Sequence, residues 1–374
     1  MSVNILFQFT TTQPLRKLSP ITSKMVPSSI RRNIGHNDSD QPPSNPRPRR
    51  IAIALGDPAG IGVEVTLGAL ADEAGEQPPG EVVLVGCRQW LQQSYQHLRG
   101  LSRLADPAQF EILDLPLAEA ISPGESGAAA GAASFEWLSE ATRLVLNGDC
   151  DALVTAPIAK SSWHAAGHDY PGQTERLAEL AGVAAASMLF TARSPAGAWR
   201  FNTLLATSHI PLAAVSGQLT SQLVSDKLEV LLAFCQRFEP RPRLVVAGLN
   251  PHAGEGGRLG REEQDWLLDC LEQWRRRHPE VDLEGPLPPD SCWLEAAAAW
   301  RTGAGGPDGY LALYHDQGLI PLKLLAFDAA VNTTLGLPFL RTSPDHGTAF
   351  AIAGKGLARP QSMAAALATA RELG

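Results

Sequence analysis

The sequence predicts an α/β protein built around a largely parallel sheet. Short apolar runs alternate along the chain with longer segments whose apolar residues recur at helical spacing. Glycine and proline mark many of the connections between them. Polar clusters directly follow several of the apolar runs, and in open α/β sheets the loops after parallel strands are where ligands bind.

The first 49 residues differ from the rest of the chain. The stretch "PSSIRRNIGHNDSDQPPSNPRPRR" is rich in serine, proline, asparagine and arginine and has no apolar period, so it predicts a disordered extension. The preceding "MSVNILFQFTTTQPLRKLSPITSK" contains no acidic residue, which also fits a transit peptide. An unstructured extension, or initiation at Met25, accounts for the same composition.

Strands and helices alternate from residue 51 onward. Residues 51–55 predict a buried strand, "GDPAGIG" a turn, and residues 63–71 a helix. Further strands are predicted at "EVVLVG", "DALVT", "PRLVVAG" and "GYLALY", and an alanine-rich helix in "ESGAAAGAASFEWLSEATRLVLNG". Because polar residues follow these strands, we expect Asp57, Thr155, His252 and His315 to share one face of the sheet.

Composition limits the kind of protein. The 374 residues are 44% hydrophobic and 19% charged, as in an ordinary soluble globular protein. A net charge of −8 argues against nucleic-acid binding, and the absence of a long apolar stretch argues against a membrane span. The five cysteines are scattered without a CxxC pair, which favours buried thiols in the cytoplasm over a disulfide framework.

Three histidines stand out because each follows a strand-like apolar run. They are His209 in "LLATSHIPL", His252 in "VVAGLNPHAGEGG" and His315 in "LYHDQG". Neutral imidazole binds first-row divalent metals, and three protein ligands with an open position are typical of a catalytic metal site. Their separations match no short metal motif, so hydrogen-bonded loop histidines remain an alternative.

The glycine-rich segments offer places for an anion or a flat ligand. "GDPAGIG" and "GLNPHAGEGGRLG" fit either an anion cradle or ordinary turns, and neither is a dinucleotide fingerprint. In "SPDHGTAFAIAGKG", small residues next to His346 would let a bulky ligand approach the backbone closely. Lys323, Asn332 and Arg341 lie among apolar neighbours, which suits binding of a phosphate or carboxylate.

Taken together, the motifs resemble one known family. "GDPAGIG", "LVTAPIAK", "YPGQTE", "TSHIPL", "GLNPHAGEGG", "GPLPPD", "YHDQG", "VNTTLGLPFLRTSPDHGTA" and "AGKG" follow one another in order through residues 51–360. This series is similar to that of the 4-hydroxythreonine-4-phosphate dehydrogenase family of pyridoxal-phosphate biosynthesis. The "DHGTAFAIAGKG" segment also resembles the cofactor loop of isopropylmalate and isocitrate dehydrogenases.

The resemblance implies a fold and an assembly. The fold would be the two-domain α/β/α type of the isocitrate and isopropylmalate dehydrogenases, with the active site in the interdomain cleft. Residues 50–155 and 325–374 would form the cofactor-side domain, and residues 156–324 the dimerisation, metal and substrate domain. The chain would act as a homodimer with a shared active site.

The resemblance also implies a reaction and its residues. NAD or NADP would oxidise 4-phosphooxy-L-threonine to 2-amino-3-oxo-4-phosphooxybutanoate, which decarboxylates to 3-amino-2-oxopropyl phosphate. One divalent metal (zinc, magnesium, cobalt or manganese) would be bound by three histidines, the third from the partner subunit. These implied roles divide among metal ligands (His209, His252 and His315), substrate contacts (Gln173, Thr174, Lys323, Asn332 and Arg341), catalytic groups (Lys323, Asp316 and Asp290) and the cofactor loop (His346, Gly347, Thr348 and Ala349).

One departure from the family pattern affects the substrate more than the reaction. Where the familiar bacterial motif reads "GHTE", this chain has "GQTE", so Gln173 replaces an imidazole. Glutamine still donates a hydrogen bond but carries no charge. Related dehydrogenases acting on D-threonate or D-erythronate 4-phosphate, a metabolite-binding protein without catalysis, and a metal-dependent hydrolase or aldolase are the alternatives. The cofactor-like segment argues against the last of these.

Overall fold

The computed structural model describes residues 49–72, 81–184 and 186–374. The predicted disordered extension lies outside these ranges, apart from its last residue, and stays a prediction. The proposed division into two domains likewise stays a prediction. Within the described chain the alternation of strands and helices is as expected, and the prediction of an α/β fold is confirmed.

The strands of the described chain form one mixed sheet. Its eleven strands lie in the order β3-β2-β1-β4-β11-β10-β5-β6-β9-β7-β8. Most neighbouring strands are parallel, as predicted. The strands are β1 Ile51–Ala54, β2 Val82–Gly86, β3 Glu111–Asp114, β4 Ala152–Thr155, β5 Ser187–Arg193, β6 Arg200–Leu205, β7 Arg243–Ala247, β8 Asp282–Leu287, β9 Gly309–Ala312, β10 Val331–Leu335 and β11 Leu340–Pro344.

The direction of the strands reverses near the middle of the sheet. β10 is antiparallel to β11 and β5, and β5 is antiparallel to β6. The parallel group containing β1 and β4 therefore runs opposite to the group containing β6, β7 and β9. The expectation that all the polar clusters lie along one edge of the sheet is thus wrong, because the carboxyl ends of the two groups point in opposite directions. Thr155 at the end of β4 and His209 after β6 nevertheless line one cavity.

Helices cover both faces of the sheet. They are α1 Gly62–Asp72, α2 Arg88–Leu98, α3 Ala128–Leu146, α4 Lys160–Ala165, α5 Gln173–Ala181, α6 Leu212–Gln218, α7 Ser221–Cys235, α8 Leu268–Arg277, α9 Leu294–Thr302, α10 His315–Ala326 and α11 Gln361–Leu373. A wide π-helical turn, Glu263–Leu267, leads directly into α8. Within the described ranges, no helix is long and apolar enough to cross a membrane.

Two clusters of buried apolar side chains hold these layers together. The larger cluster packs β1, β2 and β4 against α1, α3 and α11, and includes the fully buried Trp137 and Trp163. The second packs β6 and β9 against α9 and α10, around Phe201 and Tyr310. Strands such as β1 and β4 are apolar at nearly every position because both of their faces are covered. The strands that carry site residues are therefore fixed on both sides.

Candidate active site

A cavity of about 330 Å³ lies where the strand direction reverses. Its walls come from the ends of β4 and β6, from β10 and β11, and from the first residues of α5. It gathers side chains that are far apart in sequence, and its volume suits a small metabolite. Of the predicted site residues, the cavity brings together Gln173, Thr174, His209, Asn332, Arg341, His346 and Gly347.

Arg341 is the main charged group of this cavity. Its side chain is 3% exposed, and its guanidinium donates to Thr155 Oγ1 at 3.1 and 2.7 Å, to Thr334 Oγ1 at 3.1 Å and to Gln173 Oε1 at 3.3 Å. All these acceptors are neutral, and no carboxylate of the described chain forms an ion pair with Arg341. Burial lowers the pKa of Arg341 to about 10, against a smaller opposite effect of Glu175, so the group stays charged at neutral pH.

A buried charge without a counter-charge is costly. The effective penalty is several kcal/mol per ion. Hydrogen bonds to hydroxyls and an amide offset only part of it, whereas a bound carboxylate or phosphate would offset much more. The environment of Arg341 therefore fits an anionic ligand, and its role as a substrate contact stays a prediction.

The N-terminus of α5 forms the wall beside Arg341. Gln173 and Thr174 are the first two residues of this nine-residue helix, where unpaired backbone N–H groups favour an anion. Gln173 Nε2 donates to the Ala156 carbonyl at 3.2 Å, while its Oε1 accepts from Arg341. Both ends of this amide are thus engaged with the protein, and Gln173 orients the guanidinium.

Several cavity residues were not found by reasoning from the sequence. Lys160, Lys227 and Asp345 all line it. Lys227 Nζ donates to Ser187 Oγ at 2.7 Å, and burial lowers the pKa of this lysine. Lys227 lies on the amphipathic helix α7, where a lysine is ordinary, so the sequence carried no signal for it. Asp345 directly precedes His346, which offered a signal that was overlooked.

Lys323 reaches this region through Asp345. Its Nζ lies 2.8 Å from Asp345 Oδ2, and the carboxylate side chain is only 17% exposed. This ion pair joins α10 to the loop after β11. Lys323 itself does not line the cavity, but its ion-pair partner Asp345 does. Asp290, by contrast, is exposed in the loop after β8 and does not line the cavity.

Two of the three predicted metal ligands lie together. The ring centroids of His209 and His315 are 5.4 Å apart. Both rings line a second cavity of about 220 Å³, and His209 also lines the first, so the pair stands at the junction of the two. Burial lowers the pKa of His209, and the neighbouring His315 lowers it further, which favours the neutral imidazole that a metal requires.

His315 is also oriented as metal-binding histidines commonly are. Its Nδ1 lies 2.8 Å from the Oδ1 atom of Asp316 in the first turn of α10. A carboxylate on one ring nitrogen fixes the ring and leaves the other nitrogen available, which is the usual arrangement behind a metal ligand. Asp316 therefore has a structural relation to His315 that its predicted role beside the substrate did not include.

His252 is not part of a three-ligand cluster within the chain. Its side chain is 64% exposed, with Nδ1 3.9 Å from Glu255. In the residues that the structure describes, no group of three His, Cys, Asp or Glu side chains is arranged to hold a metal. The pair formed by His209 and His315 therefore lacks a third such ligand within the described residues.

The predicted cofactor loop packs on the turn after β1. The Ile61 N–H donates to the Thr348 carbonyl at 3.0 Å, and a Cβ at Gly60 would lie 2.9 Å from that carbonyl oxygen. Ala349 adopts a positive φ of +46°. The Nε2 atom of His346 is buried without a hydrogen-bond partner, which is a position that a bound polar group would satisfy. The loop thus fits the predicted ligand.

The chain is thus an α/β protein whose cavity contains a buried arginine without an ion-pair partner in the described chain and adjoins a pair of neighbouring histidines. Comparison of the sequence with known protein families identifies one of them. Residues 80–370 match the family of the pyridoxal phosphate biosynthetic protein PdxA. The chain belongs to this family. The predicted resemblance is therefore confirmed.

Relatives cover nearly all of the described chain. A 4-hydroxythreonine-4-phosphate dehydrogenase of Synechococcus sp. (strain RCC307) is 64% identical over 330 residues, 87% of this chain and 99% of that protein. A D-threonate 4-phosphate dehydrogenase of Salmonella typhimurium is 38% identical over 340 residues, 87% and 99% of the two chains. A crystal structure of 4-hydroxythreonine-4-phosphate dehydrogenase from Klebsiella pneumoniae matches with a TM-score of 0.74 and 37% identity. The match covers 88% of this chain and 100% of that chain.

Proposed function

We propose that this protein is a dehydrogenase that oxidises 4-phosphooxy-L-threonine with NAD or NADP. The product, 2-amino-3-oxo-4-phosphooxybutanoate, would lose carbon dioxide to give 3-amino-2-oxopropyl phosphate for pyridoxal-phosphate biosynthesis. The observation that carries the proposal is the buried Arg341, which has only neutral partners in a chain 64% identical to an enzyme of that name. Such a charge suits the phosphate of the substrate.

The residues around Arg341 would bind and orient the substrate. Its guanidinium and the N-terminus of α5 at Thr174 would hold the phosphate, with Gln173 fixing the guanidinium plane. Asn332 lines the same cavity, and its Oδ1 atom is buried without a partner, so it would accept a hydrogen bond from the substrate. Fixed orientation of the reacting groups is a main source of rate enhancement.

A divalent metal would be held by His209, His252 and His315. The resemblance implies that the third of these, His315, comes from the partner subunit. Because His209 and His315 lie together in one chain and His252 is exposed, we propose instead that His252 comes from the second copy. When bound, such an ion stabilises negative charge on the substrate oxygen during oxidation and after loss of carbon dioxide. Asp316 would keep the ring of His315 in place through its hydrogen bond to Nδ1. Lys323, whose Nζ lies 2.8 Å from the cavity-lining Asp345, would move a proton to or from the substrate.

The cofactor would lie against the loop His346–Ala349. Gly347 is open to the cavity, and the free Nε2 atom of His346 offers a hydrogen bond to a polar group of the dinucleotide. This loop is fixed from behind by the turn after β1, since Gly60 leaves space for no side chain there. The nicotinamide would then face the same cavity as Arg341.

A homodimer would supply the missing histidine. Helix α10 and its C-terminal cap expose an apolar stripe at helical spacing, with Ile320 59%, Leu324 81% and Phe327 62% exposed. The same helix begins with His315. A second copy packed on this stripe would lie close to the histidine pair, which is where a third ligand is required.

The proposal is tested with a panel of substrates. Purified protein would be assayed with 4-phosphooxy-L-threonine, D-threonate 4-phosphate and D-erythronate 4-phosphate, each with NAD and with NADP, before and after treatment with a chelator. We expect cofactor reduction with the first substrate, lost with the chelator and restored by a divalent metal. Preference for a threonate or erythronate phosphate would favour the related dehydrogenases. Ligand binding without any cofactor reduction would contradict the proposal.

A further inference from the structure

The loop that carries His252 has an unusual backbone. Six consecutive residues, 252–257, have φ values between +42° and +86° and form a left-handed turn. Three of them, His252, Ala253 and Glu255, are not glycine. L-amino acids avoid this region because Cβ approaches the following carbonyl oxygen, so surrounding structure must hold the turn in place.

The carboxylate of Glu263 lies directly against this turn. Its side chain is 1% exposed, and Oε1 accepts the backbone N–H groups of Leu249 and Asn250, both at 2.8 Å. Its Oε2 accepts the Asn250 side-chain amide at 2.9 Å. A Cβ at Gly254 would lie 2.9 Å from Oε2, so the carboxylate fits against the backbone of the turn. One side chain therefore holds both the entry and the middle of the loop.

No ion pair accounts for this buried charge. Among the residues that the structure describes, no lysine, arginine or histidine pairs with Glu263. Its donors come instead from residues just before His252. Glu263 also opens the π-helical turn before α8, and such wide turns occur often at functional sites. The adjacent Glu262 differs, since its carboxylate accepts from the Ser216 hydroxyl and the Arg261 backbone N–H as well as from the Asn250 amide.

We infer that Glu263 is the positioning residue that holds the left-handed turn and thereby aims the imidazole of His252 at a divalent metal. This inference rests on the proposed function, in which His252 serves a site on a second copy of the chain. Glu263 acts through the backbone, not by touching the metal. A free loop would relax toward ordinary backbone angles and turn the imidazole away.

The side-chain chemistry defines the variants. Glu263→Gln keeps the shape but places an NH₂ group where an oxygen accepts, either against the Asn250 amide or against the two backbone N–H groups. Asn250→Ala is a milder change: it removes the side-chain amide that donates to Glu263 Oε2 and to Glu262 Oε2, but keeps the backbone N–H that donates to Glu263 Oε1. Glu272→Gln, on the exposed surface of α8, removes the same charge and is the matched control.

The measurement is the affinity of the full-length protein for Zn²⁺, in competition with a chelating dye. Visible spectra of the Co²⁺-loaded protein report ligand geometry, and thermal unfolding reports the fold. We expect Glu263→Gln to weaken metal binding by tenfold or more, as outer-sphere substitutions do. Asn250→Ala should weaken it less, and Glu272→Gln should bind as the unchanged protein does. A Glu263→Gln/His252→Ala double variant should bind no more weakly than His252→Ala alone.

The outcomes separate the inference from the proposed function. If the unchanged protein binds no metal, the proposed function fails and the inference with it. If it binds metal and Glu263→Gln binds equally well, only the inference is overturned. The same holds if the losses of metal affinity caused by Glu263→Gln and by His252→Ala simply add in the double variant. Unfolding of both Glu263→Gln and Asn250→Ala would also overturn it, because the network would then maintain the fold and not the aim of His252.

Discussion

The ammonium group of Lys323 and the carboxylate of Asp345 form a 2.8 Å ion pair that joins helix α10 to the loop after β11. Because Asp345 lines the central cavity and Lys323 does not, the pair connects helix α10 to that cavity. Lys323→Met should lower kcat by about 10²-fold or more, the usual size of a general acid–base contribution, with little change in KM. Steady-state kinetics test this, with Arg359→Met on the exposed pair with Asp328 as control. An unchanged kcat would remove Lys323 from proton transfer.

Arg341→Met should separate ligand binding from stability. The substitution removes a charge that is buried without a counter-charge, so we expect the free energy of unfolding to change little. Substrate affinity should fall by at least about tenfold, since a hydrogen bond to a charged group contributes about 1.5–3 kcal/mol. Thermal unfolding without phosphate measures the change in stability, and the shift caused by inorganic phosphate measures the change in anion affinity. Phosphate that stabilises the variant as much as the unchanged protein would argue against Arg341 as the anion site. Arg276→Met, on the exposed face of α8, is the control.

Lys227 should contribute a second positive charge to the same cavity. It has one neutral partner, Ser187, and no ion pair within the described chain. Lys227→Met should therefore raise KM for the phosphorylated substrate by roughly tenfold, the size of one charge-assisted hydrogen bond, and leave kcat nearly unchanged. Ser187→Ala removes only the hydroxyl and should have a smaller effect. If kcat falls while KM stays constant, Lys227 has another role.

Leu324→Glu should break the dimer. Leu324 is the most exposed residue of the apolar stripe on α10, and a carboxylate there would be buried without a partner on association. Sedimentation velocity should show monomers at micromolar concentration, with metal affinity reduced in parallel. Leu101→Glu, at an exposed leucine after α2, is the control and should leave the dimer intact. A dimer that survives Leu324→Glu would place the interface elsewhere.

The cysteines should be unreactive in the native protein. All five are buried, and burial raises the pKa of Cys150 to about 11 and that of Cys292 to about 12. Thiolate, the reactive form, is therefore scarce at pH 8. A thiol-reactive chromophore should label native protein far more slowly than protein in guanidinium chloride. Rapid loss of activity on labelling at pH 8 would contradict this prediction.

Periodicity in the sequence predicted the fold class and five of the eleven strands of the described chain, namely β1, β2, β4, β7 and β9. The apolar run of β1 and the helix after "GDPAGIG" lie within one or two residues of their predicted bounds. The reversal of strand direction was not predictable, because each strand's pattern is the same whichever way its neighbour runs. Helix α10 was also missed: Pro321 lies inside it, and proline at an internal position normally argues against a helix.

The candidate site was partly predictable. Arg341 could be identified because an arginine among apolar residues is unusual, and its burial agrees with that prediction. His209 and His315 are brought together by the pairing of β6 with β9, which no local pattern specifies. Lys227 and Glu263 could not be recognised, since their chemistry depends on how completely distant segments cover them.

The location of His315 at the start of the apolar helix α10 has a consequence for how the protein is handled. If chains separate on dilution, each loses a metal ligand at the same moment that it exposes the stripe. Specific activity per milligram should then decline below a threshold protein concentration, and would recover on concentration. Assays run at nanomolar levels would underestimate turnover unless that threshold is first determined.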